Sequence, residues 1–335
     1  MTRWDWTWED RSQKARAPSV EPDAPSDPDA QTSTDALTGG DWGPRGGPPQ
    51  TFRRRRAGAA TVLIVLLAIL ISALSSHKGS ASKPSPPARR RAATLSPSQA
   101  EDAAAETKLE QKAIDSVLAY TPAVTSGGSR GNEVALTFDD GPGPYTQQLV
   151  AELDSLHVHA TFFAIGNQEQ YFSAGTVAEI DSGDVIGDHT ETHPTMASLS
   201  PHDQHEQLFE QMVQVEVLGA KRPRLFRPPY GSFNATTFRE LHHLHLLMIL
   251  WSVDTADYTL PGTQAIVQRA LAGAKPGAII LMHDAGGNRS ETIAALPAIV
   301  KGLRERGLRP VTVPQLLMDD PPPHGQPIPT SLTGG

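Results

Sequence analysis

Val134-Ala135-Leu136-Thr137-Phe138-Asp139-Asp140-Gly141 decides how this chain is read. An apolar run reads as a strand over 133–138 and ends on two adjacent carboxylates. Neighbouring side chains on a strand point apart, so one carboxylate can bind a metal while the other faces a substrate. Farther along comes His189-Thr190-Glu191-Thr192-His193-Pro194. One carboxylate and two imidazoles can hold a divalent ion, which leaves the second carboxylate to take a proton from water. The bland alternative is turn chemistry, because Gly-Pro-Gly-Pro follows and Asp favours such turns.

Outward from that stretch, strand-like and helix-like runs alternate. The strand candidates are 133–138, 160–165, 185–188, 224–227, 246–253, 277–283 and 308–313. The helix candidates are 145–156, 168–182, 200–219, 233–244, 262–274 and 290–306. Such alternation predicts an α/β fold with a parallel sheet, open or closed into a barrel. The motifs fall at the C-terminal ends of the strand candidates, where α/β barrels place active sites.

Spacing i, i+4 puts His189 and His193 on one face of a helical turn, and Pro194 tends to end it. Aspartate with two histidines suits zinc first, and also cobalt, nickel or iron. His-Glu-x-x-His is absent, so the zinc-protease motif does not apply. Arg227, in Phe226-Arg227-Pro228-Pro229-Tyr230-Gly231, can pair with a carboxylate and hold it ionised; its alternative is a surface arginine beside a proline turn. The acids of Trp251-Ser252-Val253-Asp254-Thr255-Ala256-Asp257-Tyr258 can orient an imidazole or cap a helix. His283 ends the run Ile280-Leu281-Met282-His283-Asp284 and on its own reads as a satisfied core histidine. His242, His243 and His245 crowd a helix end, where the dipole favours histidine. They read as structural, as do His157, His159, His202 and His205.

Composition shifts along the chain. Residues 1–52 read as a disordered cytoplasmic tail carrying Trp4, Trp6, Trp8 and Trp42, whose partner the sequence does not name. The uncharged run 57–74, inside a segment 53–76, would span about 27 Å as a helix, close to the ~30 Å hydrocarbon core. It predicts one transmembrane helix; a cleaved signal peptide is the rival. Arg53 to Arg56 abut its start, which places the N-terminus inside and the remainder outside the cytoplasmic membrane. Residues 77–130 read as a linker followed by a helix over 98–120, a stalk or a helix packed on the domain. Residues 319–335 read as a disordered tail. The net charge of −8 argues against a nucleic-acid partner, and the absence of cysteine excludes disulfides and thiolate metal sites.

These five motifs, in this order over 131–318, resemble the polysaccharide deacetylases, the NodB-homology domains of carbohydrate esterase family 4. The resemblance implies a distorted (β/α) barrel of about seven strands with its site at the strand C-termini. It implies Asp139 as catalytic base, Asp140, His189 and His193 as metal ligands, and Arg227 as the arginine that tunes the base. It implies Tyr230 as the oxyanion-holding backbone N–H and Asp257 as support for the catalytic acid His283. Leu281 is implied to line the acetyl pocket, with Tyr258 where the family often has Trp. Asp188 stands where Asn is common. The implied activity is metal-dependent N-deacetylation of an N-acetylglucosamine polymer, peptidoglycan or chitin-like, outside the membrane. The alternatives are an O-acetyl esterase on xylan or a wall polymer, and a catalytically silent glycan-binding wall protein.

Overall fold

The computed structural model describes residues 97–328. The expected tail 1–52, membrane run 57–74, most of the linker and residues 329–335 lie outside the described residues. No helix among the described residues is long and apolar enough to cross a membrane.

Helix α1 (Pro97–Leu118) leads into strand β1 (Ala123–Val124) and then β2 (Glu133–Asp139). Next come α2 (Thr146–Ser155), β3 (Thr161–Ala164), α3 (Gly166–Tyr171), α4 (Ser173–Ser182) and β4 (Val185–Asp188). The middle of the chain supplies α5 (Pro201–Val217), β5 (Leu225–Phe226), α6 (Ala235–Leu244), β6 (Leu247–Ile249) and β7 (Val253–Asp254). It closes with α7 (Thr263–Gly273), β8 (Ile279–His283), α8 (Ser290–Glu305), β9 (Arg309–Val311) and α9 (Val313–Asp319). Capping explains several boundaries. Ser200 accepts the Asp203 N–H ahead of Pro201, and Asn234 forms a reciprocal box with Thr237. Helix α4 stops at Gly183, whose φ of 80° only glycine adopts cheaply.

The nine strands of the described residues form one parallel sheet in the order β1-β6-β5-β4-β3-β2-β8-β7, with β9 added along the start of β2. The expected barrel is therefore an open, curled sheet, since β1 and β7 do not pair. Arg227 reveals the curl. It follows β5, three strands from β2, roughly 14 Å away in a flat sheet at ~4.8 Å per strand. Yet its guanidinium lies 2.7 Å from Asp139 of β2.

β2 is the central strand, buried along its whole length. Val134, Leu136 and Phe138 face outward to α2 and α8 with Leu149, Leu296 and Ile299. Ala135 faces the concave side, packed with Val124, Phe163 and Ile279. Thr137 and Asp139 continue that inner face with polar groups, both bonded to Arg227. The inner face thus runs from apolar at the strand starts to polar at their C-terminal ends.

Two expected elements divide. The run 246–253 splits into β6 and β7, because the carbonyls of Ile249 and Leu250 accept from Arg227 rather than continuing a ladder. The run 168–182 splits at Phe172 into α3 and α4. The expected boundaries at 131 and 318 also move. β1 pairs with β6, and Ile114 and Val117 of α1 pack with Leu316 and Leu317 of α9 on the inner-face core. α1 is therefore part of the domain. Residues 320–328, expected as disordered tail, run along it. The Tyr120 hydroxyl donates to the Pro322 carbonyl, His324 stacks on Tyr120 at 3.9 Å, and Gln326 bonds Thr125 and Ser126.

Ile114→Ala is expected to cost about 2–4 kcal/mol in chemical denaturation, because it opens a cavity in the inner-face core. A wild-type-like midpoint would place α1 off the domain.

Candidate active site

Four strand ends meet on the polar rim. Asp139 and His283 are direct partners across the β2–β8 ladder. Asp140 lies just beyond β2 in a left-handed turn at φ 74°, and its carboxylate and that of Asp139 both come within 4 Å of His189 Nε2. His189 follows β4, and Arg227 follows β5.

Arg227 is fully buried, and its guanidinium makes four hydrogen bonds. It donates to Asp139 Oδ1 at 2.7 Å, Thr137 Oγ1 at 2.8 Å and the carbonyls of Ile249 and Leu250 at 3.1 Å each. The guanidinium also sits 4.2 Å above the Phe163 ring. Asp139 is thereby aimed: one oxygen faces the arginine, and the other lies 3.9 Å from His189 Nε2.

His189 and His193 do come together, but not on a helical turn. The segment after β4 is irregular, with Thr190 and His193 left-handed at φ 71° and 58°. Asp188 Oδ1 accepts the Thr190 N–H, and Thr190 Oγ1 accepts the His193 N–H. These short-range bonds replace the helix that the i, i+4 spacing predicts. His189 Nδ1 lies 2.7 Å from the Arg227 carbonyl; donating its proton there leaves Nε2 free as a ligand. Asp140 Oδ1 is 3.6 Å from His189 Nε2 and 3.2 Å from His193 Nε2. Bonds of 2.0–2.1 Å to a tetrahedral ion place neighbouring ligands about 3.3 Å apart. Asp140, His189 and His193 fit such an ion, and among the described residues no other trio of such side chains brings its ligand atoms within 4.8 Å. Burial would raise Asp140, but hydrogen bonds from His189 and His193 outweigh it and hold the carboxyl below its usual range.

His283 faces the opposite electrostatic problem. Its Nδ1 lies 2.7 Å from Asp257 Oδ1, and its backbone N–H donates to Asp257 Oδ2. Burial would lower the imidazole, but Asp257 dominates through its hydrogen bond and charge, with Asp140 and Asp139 adding, and lifts it to about 9. Asp257 is itself held down against burial by His283 and by the Thr292 hydroxyl at 2.8 Å. The imidazole is thus charged at neutral pH, with Nε2 as the nitrogen able to release a proton.

Around this core, the Tyr230 ring meets His193 edge-on at 4.6 Å, and Tyr258 meets His283 at 5.3 Å. Both tyrosines are exposed, and Tyr230 has a left-handed backbone at φ 57°. Leu281 is buried on β8, two residues before His283 and so on the same face.

The chain matches the polysaccharide deacetylase family over residues 126–249. It is 38% identical over 194 residues to a peptidoglycan-N-acetylglucosamine deacetylase of Bacillus cereus, covering 55% of this chain and 87% of that protein. The chain belongs to the polysaccharide deacetylase family. It is also 31% identical over 210 residues to a chitooligosaccharide deacetylase of Sinorhizobium fredii, covering 59% of this chain and 98% of that protein. Among solved structures, a peptidoglycan N-acetylglucosamine deacetylase superposes with a TM-score of 0.57 at 31% identity, over 61% of this chain and 96% of that one. This polysaccharide deacetylase is accordingly a hydrolase.

Within the deacetylase, Asp139, Asp140, His189, His193 and Arg227 are linked by direct contacts, and His283 pairs with Asp257 on the strand next to Asp139; Asp257, Tyr258, Leu281 and His283 lie beyond the matched range. Asp254 does not orient a histidine; its side chain instead accepts the Ala256 N–H. Asp188, the substituted position, is fully buried. Burial pushes it well above the carboxylate range, the Thr190 N–H opposes and Glu191 adds. Thr137 and Thr292 were not legible in the sequence. They sit inside ordinary strand and helix patterns and become polar anchors only through tertiary contact.

The pH consequence follows from His283. Its charge contributes stability that is fully present below about 6.5 and is lost as pH rises through about 9. An ion in the adjacent site opposes the shift, so the alkaline limb of kcat/KM in the metal-loaded deacetylase is expected at or below that value. Asp257→Asn removes the partner charge and is expected to move that limb to lower pH. A pH–rate profile unchanged by Asp257→Asn would show that His283 is not the titrating acid.

Proposed function

We propose that this deacetylase hydrolyses the N-acetyl groups of an N-acetylglucosamine-containing glycan, with peptidoglycan as first substrate. The observation that carries the reading is the Asp139–His283 pair, a carboxylate and a charged imidazole on adjacent strands beside the Asp140, His189 and His193 trio. The Bacillus relatives named for peptidoglycan support the choice, and the rhizobial ones named for chitooligosaccharides support the wider class.

An amide carbonyl is a weak electrophile and an amine a poor leaving group. Asp140, His189 and His193 would hold a divalent ion, zinc by the nature of the donors, which would supply polarisation of the carbonyl and a lowered pKa for water. Asp139, aimed by Arg227, takes the proton from the attacking water. The water oxygen bonds to the acetyl carbon, and the Tyr230 N–H helps hold the oxyanion that results. One such donor is typically worth about 2.7–4 kcal/mol of barrier. His283 gives its Nε2 proton to the departing nitrogen as the C–N bond breaks, releasing acetate and a free amine. Leu281 and Tyr258 border the methyl group.

We further propose that the run 57–74 anchors the enzyme in the cytoplasmic membrane, with the catalytic domain outside and the glycan as its partner there. Protease accessibility of the domain on intact cells tests this placement; protection would reverse it.

Acetate release from N-acetylglucosamine oligomers and from wall glycan is expected to stop with a chelator and return with zinc. His283→Ala is expected to lower kcat about 10²–10⁴-fold, the usual worth of a general acid, and Asp139→Asn by a comparable factor. Turnover that survives either substitution would overturn the assignment. Faster release from acetyl-xylan than from acetamides would instead make it an O-acetyl esterase.

A further inference from the structure

Asp140 and His193 stand outside any strand or helix, each on left-handed backbone, at φ 74° and 58°. Bonds other than a regular ladder therefore set their distance from each other. The histidine loop has its own ties. Thr190 Oγ1 accepts the His193 N–H, and the Thr190 carbonyl accepts the Gly166 N–H at 3.0 Å. One residue before Gly166, the Ile165 N–H donates to the Gly141 carbonyl at 2.7 Å, directly after Asp140. The turn 140–143 is thus joined to the histidine loop on one side.

On its other side the turn rests on the segment that follows His283. The Asp284 N–H donates to the Asp139 carbonyl at 3.2 Å. A Cβ on Gly141 would collide with the Asp284 carboxylate, and one on Gly143 would fall 2.5 Å from Ala285 Cβ. A Cβ on Gly286 would fall 2.5 Å from Asp140 Oδ2. Residues 284–286 therefore pack along the turn too closely for side chains at these three glycines. One hydroxyl bridges this seam. Thr146, the first residue of α2, is fully buried, as is Asp284. Thr146 Oγ1 accepts the Gly143 N–H at 2.7 Å and donates its own proton to Asp284 Oδ2. A hydroxyl has a single proton, so the relay runs one way, from Gly143 through Thr146 to Asp284.

We propose that Thr146 and Asp284 are positioning residues, whose hydrogen bond clamps the turn 141–143 to the segment behind His283 and so holds Asp140 at ligand distance from His189 and His193. Loosening the clamp would free Asp140 with its turn, while Thr190 and the Arg227 carbonyl still hold the two histidines. Given the metal-dependent reading of the site, on which this rests, the loss falls on the ion before the fold. Partners behind a metal ligand are typically worth about 10–100-fold in affinity. The competing account is packing, since a Cβ on Gly175 would come within 3.1 Å of Thr146 Cγ2. Valine and serine separate the two: valine keeps the bulk at Cγ2, and serine keeps the hydroxyl.

Zinc affinity of the full chain, measured without substrate by competition with a chromophoric chelator, tests the clamp. Thr146→Val is expected to weaken zinc binding about tenfold or more, and Thr146→Ser to stay near the wild-type value. Asp284→Ala breaks the same bond from its other end, with the same expected loss, and serves where Thr146→Val does not fold. The double variant is expected to lose no more than the worse single one, because each change removes one shared bond. Wild-type zinc affinity in Thr146→Val or Asp284→Ala would overturn the proposal. So would a loss in Thr146→Ser as large as in Thr146→Val, or additive losses in the double variant. A wild type that binds no zinc would overturn the metal-dependent reading, and this inference with it.

Discussion

A buried arginine holds the centre of this molecule together. Arg227 crosses the concave face of the sheet to reach Asp139 and draws on backbone carbonyls of β6 and the residue after it. A charge in such a place is strongly destabilising alone and tolerable only when fully paired. The pairing therefore imposes geometry: β2, β5 and β6 must converge on one guanidinium, and the sheet must curl. The same contact sets the orientation of Asp139 and, through the Arg227 carbonyl, the ring of His189. One side chain thus fixes the curvature of the scaffold, the aim of a carboxylate and the tautomer of a ligand histidine.

The site separates two kinds of histidine by what their Nδ1 meets. His189 faces a neutral carbonyl, which fixes its ring without adding charge and leaves a lone pair to coordinate. His283 faces the buried carboxylate of Asp257, which keeps it protonated. Two imidazoles on one rim are prepared for opposite tasks, one to bind a cation and the other to release a proton. Tyr230 flanks His193, the ring beside His189, and Tyr258 flanks His283.

Much of the site was legible because its residues end apolar runs. Asp139 and His283 close strands whose patterns are plain, and their direct ladder pairing follows from parallel register. Less was legible where the backbone departs from regular structure. The i, i+4 spacing of His189 and His193 pointed to a helix, whereas left-handed Thr190 and His193 make the approach within a loop. β1 is two residues long, too short to leave a pattern, and so the domain seemed to begin later than it does. The order of residues 320–328 rests on contacts such as His324 on Tyr120, partners some two hundred positions apart. Nothing in the helix pattern over 168–182 marks its acids as buried. Only packing turned Glu169 and Glu179 inward.

What the sequence determined by itself is local: the alternation of strands and helices, the strand ends that carry carboxylates and imidazoles, and the residue types suited to a divalent ion. Those follow from side-chain periodicity and ligand chemistry, which act over a few residues. Tertiary structure alone decided that the sheet stays open and curled, that α1 belongs to the domain, and which acids are paired with cations and which are left among themselves. These depend on burial, and burial is a property of distant segments meeting, which no short window of residues contains.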